Sequence, residues 1–187
     1  MEKTAILTQT IQYLMEQKSI LFPTDTVWGI GGDATSIEVV KKVYQLKERE
    51  ESKALLCLVS NMEMIQNYFD DIPSEALPFF EATSPTTVIL DNPKGIATNM
   101  IAADNSLAIR IPNDSFCQDL LRTFQRPIIA TSANTSGKTT PMSFTEIEKA
   151  ILEGVDYVVP LENKQQKTKP SRIVKVNTSG EITLIRD

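Results

Sequence analysis

The sequence of 187 residues contains no histidine and only two cysteines, Cys57 and Cys117. The missing histidine excludes a zinc site built from cysteine and histidine, and it excludes a Ser–His–Asp or Cys–His catalytic pair. No run of 18 apolar residues occurs, so no membrane-spanning helix is expected. The first residues also lack the apolar core of a signal peptide. We therefore expect a cytoplasmic protein without a membrane partner.

The chain has fewer basic than acidic residues. The chain has 19 lysines and arginines against 24 acidic residues, which gives a formal net charge of -5. The field of the whole molecule does not favour nucleic acid, so RNA binding would need a local basic patch. The stretch NKQQKTKPSRIVK, at 163–175, is the candidate patch. The ordinary interpretation of such a stretch, which we favour, is a solvated loop that leads into a terminal hairpin.

What is present indicates one folded domain, predicted over residues 1–187. Apolar residues make up 41% of the chain and charged residues 23%, as in ordinary globular proteins. Apolar periodicity predicts helices at 5–17, 36–47, 61–69, 74–81, 114–124 and 143–153. Strands are predicted at 19–23, 54–59, 86–90, 107–111, 127–131, 157–160, 171–176 and 181–186, the last two as a hairpin. The alternation of strands and helices predicts an α/β fold with a mixed sheet.

The stretch IATSANTSGKTTP, at 129–141, resembles the end of a phosphate-binding P-loop. The pattern requires glycine five positions before Gly137, and this sequence has Ser132 there. A true P-loop is therefore not supported. Two interpretations stay open for Thr131, Ser132 and Asn134. They bind a carboxylate, a ribose or a phosphate at the end of a strand, or they only form a polar turn.

Three further segments carry the same choice between a ligand site and ordinary structure. The loop PTDTVWGIGGDATS, at 23–36, has a GxGG pattern that is not the dinucleotide fingerprint. It either approaches a small ligand or forms a tight turn around Trp28. The segment 46–56 holds Lys47, Arg49 and Lys53, which either face solvent or converge on phosphate. Arg110 points away from its apolar strand neighbours, toward solvent or toward an anion in a site.

Taken together, six segments of the chain resemble the YrdC-like family. They are FPTDTVWGIGGDA, LKER with KALL, SPTTVIL, LAIRIP, ATSANTSG and PSRIV, in that order. The likeness runs from about residue 19 to the C-terminus. It is strongest to the short, single-domain threonylcarbamoyl-adenylate synthases of that family. The resemblance implies a YrdC-like fold, in which an open twisted mixed sheet carries a concave basic face.

The resemblance also implies roles for particular residues. Those expected to bind L-threonine are Thr26, Arg110, Ser132 and Ser171. Those expected to bind ATP are Arg49, Lys53, Ser106, Asn134, Ser143 and Arg186. Lys47 and Arg49, the Lys-x-Arg pair, are expected to act in catalysis on the phosphates. Three positions depart from the family pattern: Trp28 in place of tyrosine, Ser84 in place of glycine and Arg172 in place of a small hydroxyl residue.

The implied reaction joins L-threonine, bicarbonate and ATP into threonylcarbamoyl-AMP, with release of pyrophosphate and water. Its product serves the N6-threonylcarbamoyl modification of tRNA adenosine, so downstream threonylcarbamoyl-transferase proteins are expected partners. Mg²⁺ is expected with ATP, held mainly by phosphates and water, with Asp25 or Asp33 as the nearest candidate ligands. The alternative interpretation is a YrdC-like module that binds tRNA or double-stranded RNA without turnover.

Overall fold

The structure is a computed structural model that describes residues 2–50, 55–161 and 170–187. Its helices are α1 (Lys3–Met15), α2 (Ile37–Leu46), α3 (Met62–Tyr68), α4 (Leu77–Phe80), α5 (Ser115–Phe124) and α6 (Lys149–Gly154). Its strands are β1 (Ile20–Phe22), β2 (Gly29–Asp33), β3 (Leu56–Leu58), β4 (Thr86–Asp91), β5 (Ser106–Arg110), β6 (Ile128–Ser132), β7 (Tyr157–Val158), β8 (Arg172–Val176) and β9 (Ile182–Arg186). None of the helices in the described ranges is long and apolar enough to span a membrane.

The described strands form one mixed sheet in the order β7-β1-β2-β6-β3-β5-β4-β8-β9. The pairs β1–β7, β3–β5 and β4–β8 are parallel, and the other neighbours are antiparallel. The predicted α/β class with a mixed sheet is confirmed. The predicted terminal hairpin is confirmed as well, because β8 and β9 pair antiparallel.

Local signals explain where the two best-defined helices start. The Ser36 hydroxyl accepts a hydrogen bond from the backbone N–H of Val39 at the start of α2. The Asp114 carboxylate does the same for Cys117 at the start of α5, at 2.9 Å. Each bond satisfies one of the backbone donors that a helix leaves unpaired in its first turn.

The helices cover the two faces of the sheet unequally. One face packs against α2, α3, α4 and α6 and forms the larger core, with Ile30, Ile109 and Val174 among its buried residues. The other face packs against α1 and α5 around Phe22 and Leu58. The smaller core contains no residue of β4, β5 or β8. That part of the second face is where an open cleft lies.

Two sequence expectations need correction. Residues 29–33 were expected to lie in a loop, and they form the buried strand β2. The helix expected at 143–153 is a 3₁₀ turn at Phe144–Glu146 followed by the short helix α6. The glycines of β2 hid the strand, because glycine is rare in strand interiors. They are needed for packing, since a Cβ at Gly32 would lie 2.2 Å from Val39 Cγ1 of α2.

Gly31 provides a stability test of this close packing. An added Cβ would lie 2.9 Å from the backbone oxygen of Ile129 and 2.5 Å from the Phe22 ring. We expect Gly31→Ala to lower the free energy of unfolding by about 1–3 kcal/mol through overpacking. Urea denaturation measures the change.

Gly29→Ala is the matched control in the same strand. Its added Cβ would meet nothing closer than 3.5 Å. We expect it to change the free energy of unfolding by less than about 1 kcal/mol. Equal losses of stability in the two variants would contradict the packing explanation.

Candidate functional site

A cleft of about 330 Å³ lies on the part of the second sheet face that α1 and α5 leave uncovered. Strand residues of alternating positions form its floor, including Thr87 and Ile89 of β4 and Ala108 and Arg110 of β5. Alternate residues of a strand point to the same face, so the intervening side chains enter the larger core instead. The cleft is therefore a direct product of the sheet with its incomplete helix layer.

Arg110 is a buried charged residue of this cleft. Only 3% of its surface is exposed, so it is not on a solvent-facing sheet surface. Its Nη1 donates a hydrogen bond to Asp25 Oδ1 at 2.5 Å, and the two side chains form a buried ion pair. The second Asp25 oxygen accepts from the backbone N–H of Asn113 at 2.9 Å. The Nε of Arg110 is buried and has no hydrogen-bond partner in the structure.

The loop between β1 and β2 brings Thr24 and Thr26 into the cleft. The Thr24 hydroxyl donates to the carbonyl of Val27 at 2.7 Å and accepts from the Thr26 backbone N–H at 3.1 Å. It also lies 3.0 Å from the Thr26 hydroxyl. The threonine-rich segment thus folds on its own side chains, as hydroxyl residues do in turns. That leaves the half-buried Thr26 at the cleft wall.

Two arginines stand at other walls of the cleft. Arg49 follows α2 and is half-buried, and Arg186 ends β9 and is exposed. Arg186 donates from Nη2 and Nε to the backbone oxygen of Ser171, at 2.6 and 3.1 Å. The Ser171 hydroxyl is itself paired with Thr87 at 2.7 Å. Among the described lining residues there are three arginines and no acid, so the cleft suits an anion.

The segment that resembled a P-loop has a different architecture. Ser132 ends β6 opposite Gly29 and lines the cleft, together with Thr131 and Thr140. Asn134 is buried, and its amide donates to the carbonyls of Thr135 and Lys138 at 3.0 and 2.9 Å. In this structure its N–H groups shape the loop from inside.

Lys47 adopts a place that the sequence did not suggest. Its side chain is 1% exposed and does not line the cleft. Its Nζ donates to the backbone oxygens of Ser132 and Asn134, at 2.5 and 2.7 Å. Burial, followed by the charge of Arg49, lowers the pKa of Lys47 to about 8, and the charge of Glu148 opposes that change.

The remaining predicted site residues divide by location. Thr26, Arg49, Arg110, Ser132, Ser171 and Arg186 line the cleft. Ser106 and Ser143 are not part of the cleft lining. The Ser106 hydroxyl donates to Asp104, and Ser143 precedes the 3₁₀ turn before α6. Lys53 lies outside the described residues. The functional roles of all of them remain predictions.

Several lining residues were missed by the sequence interpretation: Thr24, Thr87, Ile89, Ala108 and Thr140. The signal that could have found those on β4 and β5 is their alternation with core residues. If Arg110 points into a site, then Ala108 on the same strand face must line it too. No comparable pattern marks Thr24 or Thr140, because loop positions follow no period.

Only part of the candidate RNA patch belongs to the described residues. Of its cations, Lys164, Lys167 and Lys169 lie outside the described residues. Lys175 contacts Asp104 at 2.7 Å and Asp91 at 3.5 Å. Arg172 lies over the Phe79 ring, 5.7 Å from its centroid. The two described cations at this edge already have partners within the chain.

The candidate metal ligands and the cysteines are also placed. Asp33 accepts from Arg126 and Thr35 at the opposite end of β2 from Gly29, about 13 Å away along the strand. Within the ranges that the structure covers, no cluster of three acidic or cysteine side chains could hold a metal ion.

Both cysteines are free and buried, and burial raises the pKa of each thiol. Neither thiol is suited to act as a nucleophile.

Comparison with known proteins agrees with the geometry. The family model Sua5_yciO_yrdC, described as "Telomere recombination", matches residues 12–187. A protein of Methanocaldococcus jannaschii is 32% identical over 185 residues, which cover 98% of this chain and 86% of its own. The chain therefore belongs to the Sua5/YciO/YrdC family, as the resemblance predicted.

Two further known proteins are similar over nearly all of the chain. The threonylcarbamoyl-AMP synthase of Serratia proteamaculans is 29% identical over 97% of this chain and 97% of its own. A crystal structure of Pyrococcus abyssi Sua5 complexed with L-threonine has a TM-score of 0.88 and 24% identity. It is matched over 100% of this chain, which spans 54% of that longer protein. At this identity the likeness supports the fold alone, and the predicted open twisted mixed sheet is confirmed.

The buried pair of Asp25 and Arg110 leads to a stability prediction. Replacing Asp25 by Asn leaves the Arg110 charge buried without its counter-charge, since both side chains are at most 5% exposed. We expect the free energy of unfolding to fall by about 3–5 kcal/mol. Asp70→Asn is the control, because its ion pair with Lys94 is solvent-exposed and should contribute at most about 1 kcal/mol. Chemical denaturation compares the two, and similar small losses would mean that the buried pair is not needed for folding.

Proposed function

We propose that this protein is a threonylcarbamoyl-AMP synthase that forms threonylcarbamoyl-AMP and pyrophosphate from L-threonine, bicarbonate and ATP. The observation that carries the proposal is the cleft itself. It combines a buried arginine, a row of hydroxyl groups and two further arginines, without an acid among its described lining residues. The three proposed substrates, L-threonine, bicarbonate and ATP, are anions or carry an anionic group. The near full-length match to a protein of that name supports the same activity.

Arg110 is the proposed ligand of the threonine carboxylate. Its Nη1 is held by Asp25, and its buried Nε has no hydrogen-bond partner among the described residues. A guanidinium whose position is fixed can offer its remaining donors to a carboxylate at little entropic cost. Thr26, Ser132 and Ser171 would surround the rest of the amino acid. The described complex of Pyrococcus abyssi Sua5 with L-threonine is consistent with such a site in the family.

Arg49 and Arg186 are the proposed ligands of the triphosphate. They lie on different walls of the cleft from the Asp25–Arg110 pair, and neither wall carries a described acid. We propose Lys53, which lies outside the described residues, as a further phosphate ligand. Ser106, Ser143 and Asn134 remain proposed nucleotide contacts with less support, since none of them lines the described cleft.

The chemistry requires placement more than side-chain reactivity. The threonine amine takes up bicarbonate with loss of water, and the resulting carbamate oxygen attacks the α-phosphorus of ATP. The bond between the α-phosphorus and the bridging oxygen breaks, and pyrophosphate leaves with that oxygen. Fixed cations beside the phosphates would stabilise the charge that moves onto the leaving group. The lack of histidine is no obstacle to this sequence of steps.

Mg²⁺ enters this proposal with ATP as part of the substrate. Asp25 is engaged with Arg110, and Asp33 lies far along β2 beside Arg126. The described residues thus do not fit a resident magnesium site. An ion held by phosphate oxygens and water needs no such site, because Mg²⁺ keeps several waters when it binds nucleotides. We further propose a cytoplasmic location, with tRNA-modifying threonylcarbamoyl transferases as downstream partners.

The direct test supplies ATP, Mg²⁺, bicarbonate and one amino acid at a time. We expect pyrophosphate release and an acid-labile AMP adduct, identified by mass spectrometry, with threonine above all others. Omission of bicarbonate should abolish the adduct. If no amino acid gives an adduct while tRNA binds in a salt-sensitive manner, the RNA-binding module is the better description.

The roles of the two arginines can be separated by kinetics. We expect Arg110→Lys to raise the KM for threonine about tenfold or more, because lysine offers no planar fork yet still compensates Asp25. Arg49→Ala should raise the KM for ATP and leave that for threonine nearly unchanged. Arg122→Ala, an exposed position near the end of α5, serves as the control. If both cleft variants keep wild-type KM values, the proposed assignment is wrong.

A further inference from the structure

We propose that Lys47 is a positioning residue whose ammonium holds the loop after β6 in place, and that it does not bind the nucleotide. The loop comprises residues 132–138 and is called the β6 loop below. It presents Ser132 to the cleft. The proposal rests on the proposed function for its two activity tests. Hydrogen–deuterium exchange provides a third test that needs no activity.

The hydrogen bonds of the Lys47 side chain that the structure describes go to this loop. Nζ lies 2.5 Å from the oxygen of Ser132 and 2.7 Å from that of Asn134, and both are backbone acceptors. The backbone oxygen of Lys47 accepts from the N–H of Ser136 at 2.7 Å. One residue thus contacts the loop at three points, with its side chain and with its main chain. With 1% of the residue exposed, little of it remains for a ligand to reach.

A cation at this point has a clear physical purpose. Two carbonyl oxygens that converge on one position repel each other unless a donor lies between them. A buried carbonyl that loses its donor carries a desolvation cost of about 1–3 kcal/mol. The Asn134 oxygen would bear more of this cost than the Ser132 oxygen, which also accepts from the N–H of Asn134 at 2.9 Å. The ammonium of Lys47 removes both costs at once. It therefore selects the loop conformation in which the carbonyls of Ser132 and Asn134 point toward α2.

Other contacts show that the rest of the loop is held independently. Glu148, just before α6, accepts from the Thr135 hydroxyl at 3.2 Å and from Lys138 Nζ at 2.6 Å. The Asn134 amide closes the loop internally. The first part of the loop, next to the cleft, is held by Lys47 and by the N–H of Ala133, which donates to the backbone oxygen of Trp28 at 3.0 Å. Lys47 also joins the loop to the end of α2, two residues before Arg49.

Protonation separates the two possible roles of Lys47. A phosphate ligand would be needed as a cation, and with a pKa of about 8 the charge is lost as pH rises through that value. A neutral amine still has two N–H groups, one for each carbonyl. Positioning therefore persists above pH 8, whereas a counter-charge to phosphate does not.

The first test compares Lys47→Met with wild type, and uses Lys41→Met, an exposed position of α2, as the control. We expect Lys47→Met to lower kcat/KM for both threonine and ATP, on the order of 100-fold, because a displaced loop disturbs the whole site. Lys41→Met should match wild type. A rise in the KM for ATP alone, with the threonine KM unchanged, would overturn the proposal.

The second test measures the ratio of wild-type to Lys47→Met activity between pH 7 and pH 9. The titration of threonine, bicarbonate and ATP is common to both proteins and cancels in the ratio. We expect a nearly constant ratio. A counter-charge role predicts that the ratio falls about tenfold across this interval, as the protonated fraction does.

The third test needs no activity, so it stands even if the proposed function fails. Hydrogen–deuterium exchange should show faster exchange in residues 132–138 of Lys47→Met, by about tenfold or more, and no change in Lys41→Met. Unchanged exchange would overturn the proposal. If Lys47→Met does not fold, Lys47→Arg replaces it, since arginine keeps the charge but changes donor geometry. Normal ATP use by Lys47→Arg combined with a fast-exchanging loop would show that charge matters and positioning does not.

Discussion

The buried pair of Arg110 and Asp25 is the interaction on which the site depends. A guanidinium with 3% exposure is tolerable only beside a counter-charge, and Asp25 supplies one at 2.5 Å. The pair joins the end of β5 to the loop between β1 and β2, two segments that are 85 positions apart. It thereby fixes the floor of the cleft relative to the threonine-rich wall. The donors that the pair leaves unused are the basis of the proposed carboxylate site.

The incomplete helix layer explains why the cleft exists at all. Helices α1 and α5 cover only part of the second sheet face, while the first face has a continuous core. Residues of β4 and β5 consequently send one side chain into apolar packing and the next into the cleft. The same strands therefore supply both the packed core and the floor of the cleft. A one-residue shift in the register of β5 would move Arg110 from the cleft face to the core face.

Sequence reasoning recovered most of the regular structure and named six of the residues that line the cleft, whose roles remain predictions. Apolar periodicity located α2, α5 and the central strands within a few residues. It failed at β2, where Gly31 and Gly32 suggested a loop although both are packed against neighbours too closely for a Cβ. Six of the predicted site residues line the cleft, among them Thr26, Arg49 and Arg110, while Ser106 and Ser143 lie outside its lining. Short motifs indicate which residues are special but not which way each one points.

The sequence by itself determined the family, the α/β class and the set of chemical groups, since these follow from local pattern and residue identity. It also excluded histidine chemistry. Only the tertiary structure decided the use of each group. Lys47 and Arg49 are two positions apart, yet one is buried against the β6 loop and the other lines the cleft. The reason is physical, because a side chain's role depends on burial and on partners from distant segments. Ser132, 85 positions from Lys47, is one such partner, and no local pattern encodes it.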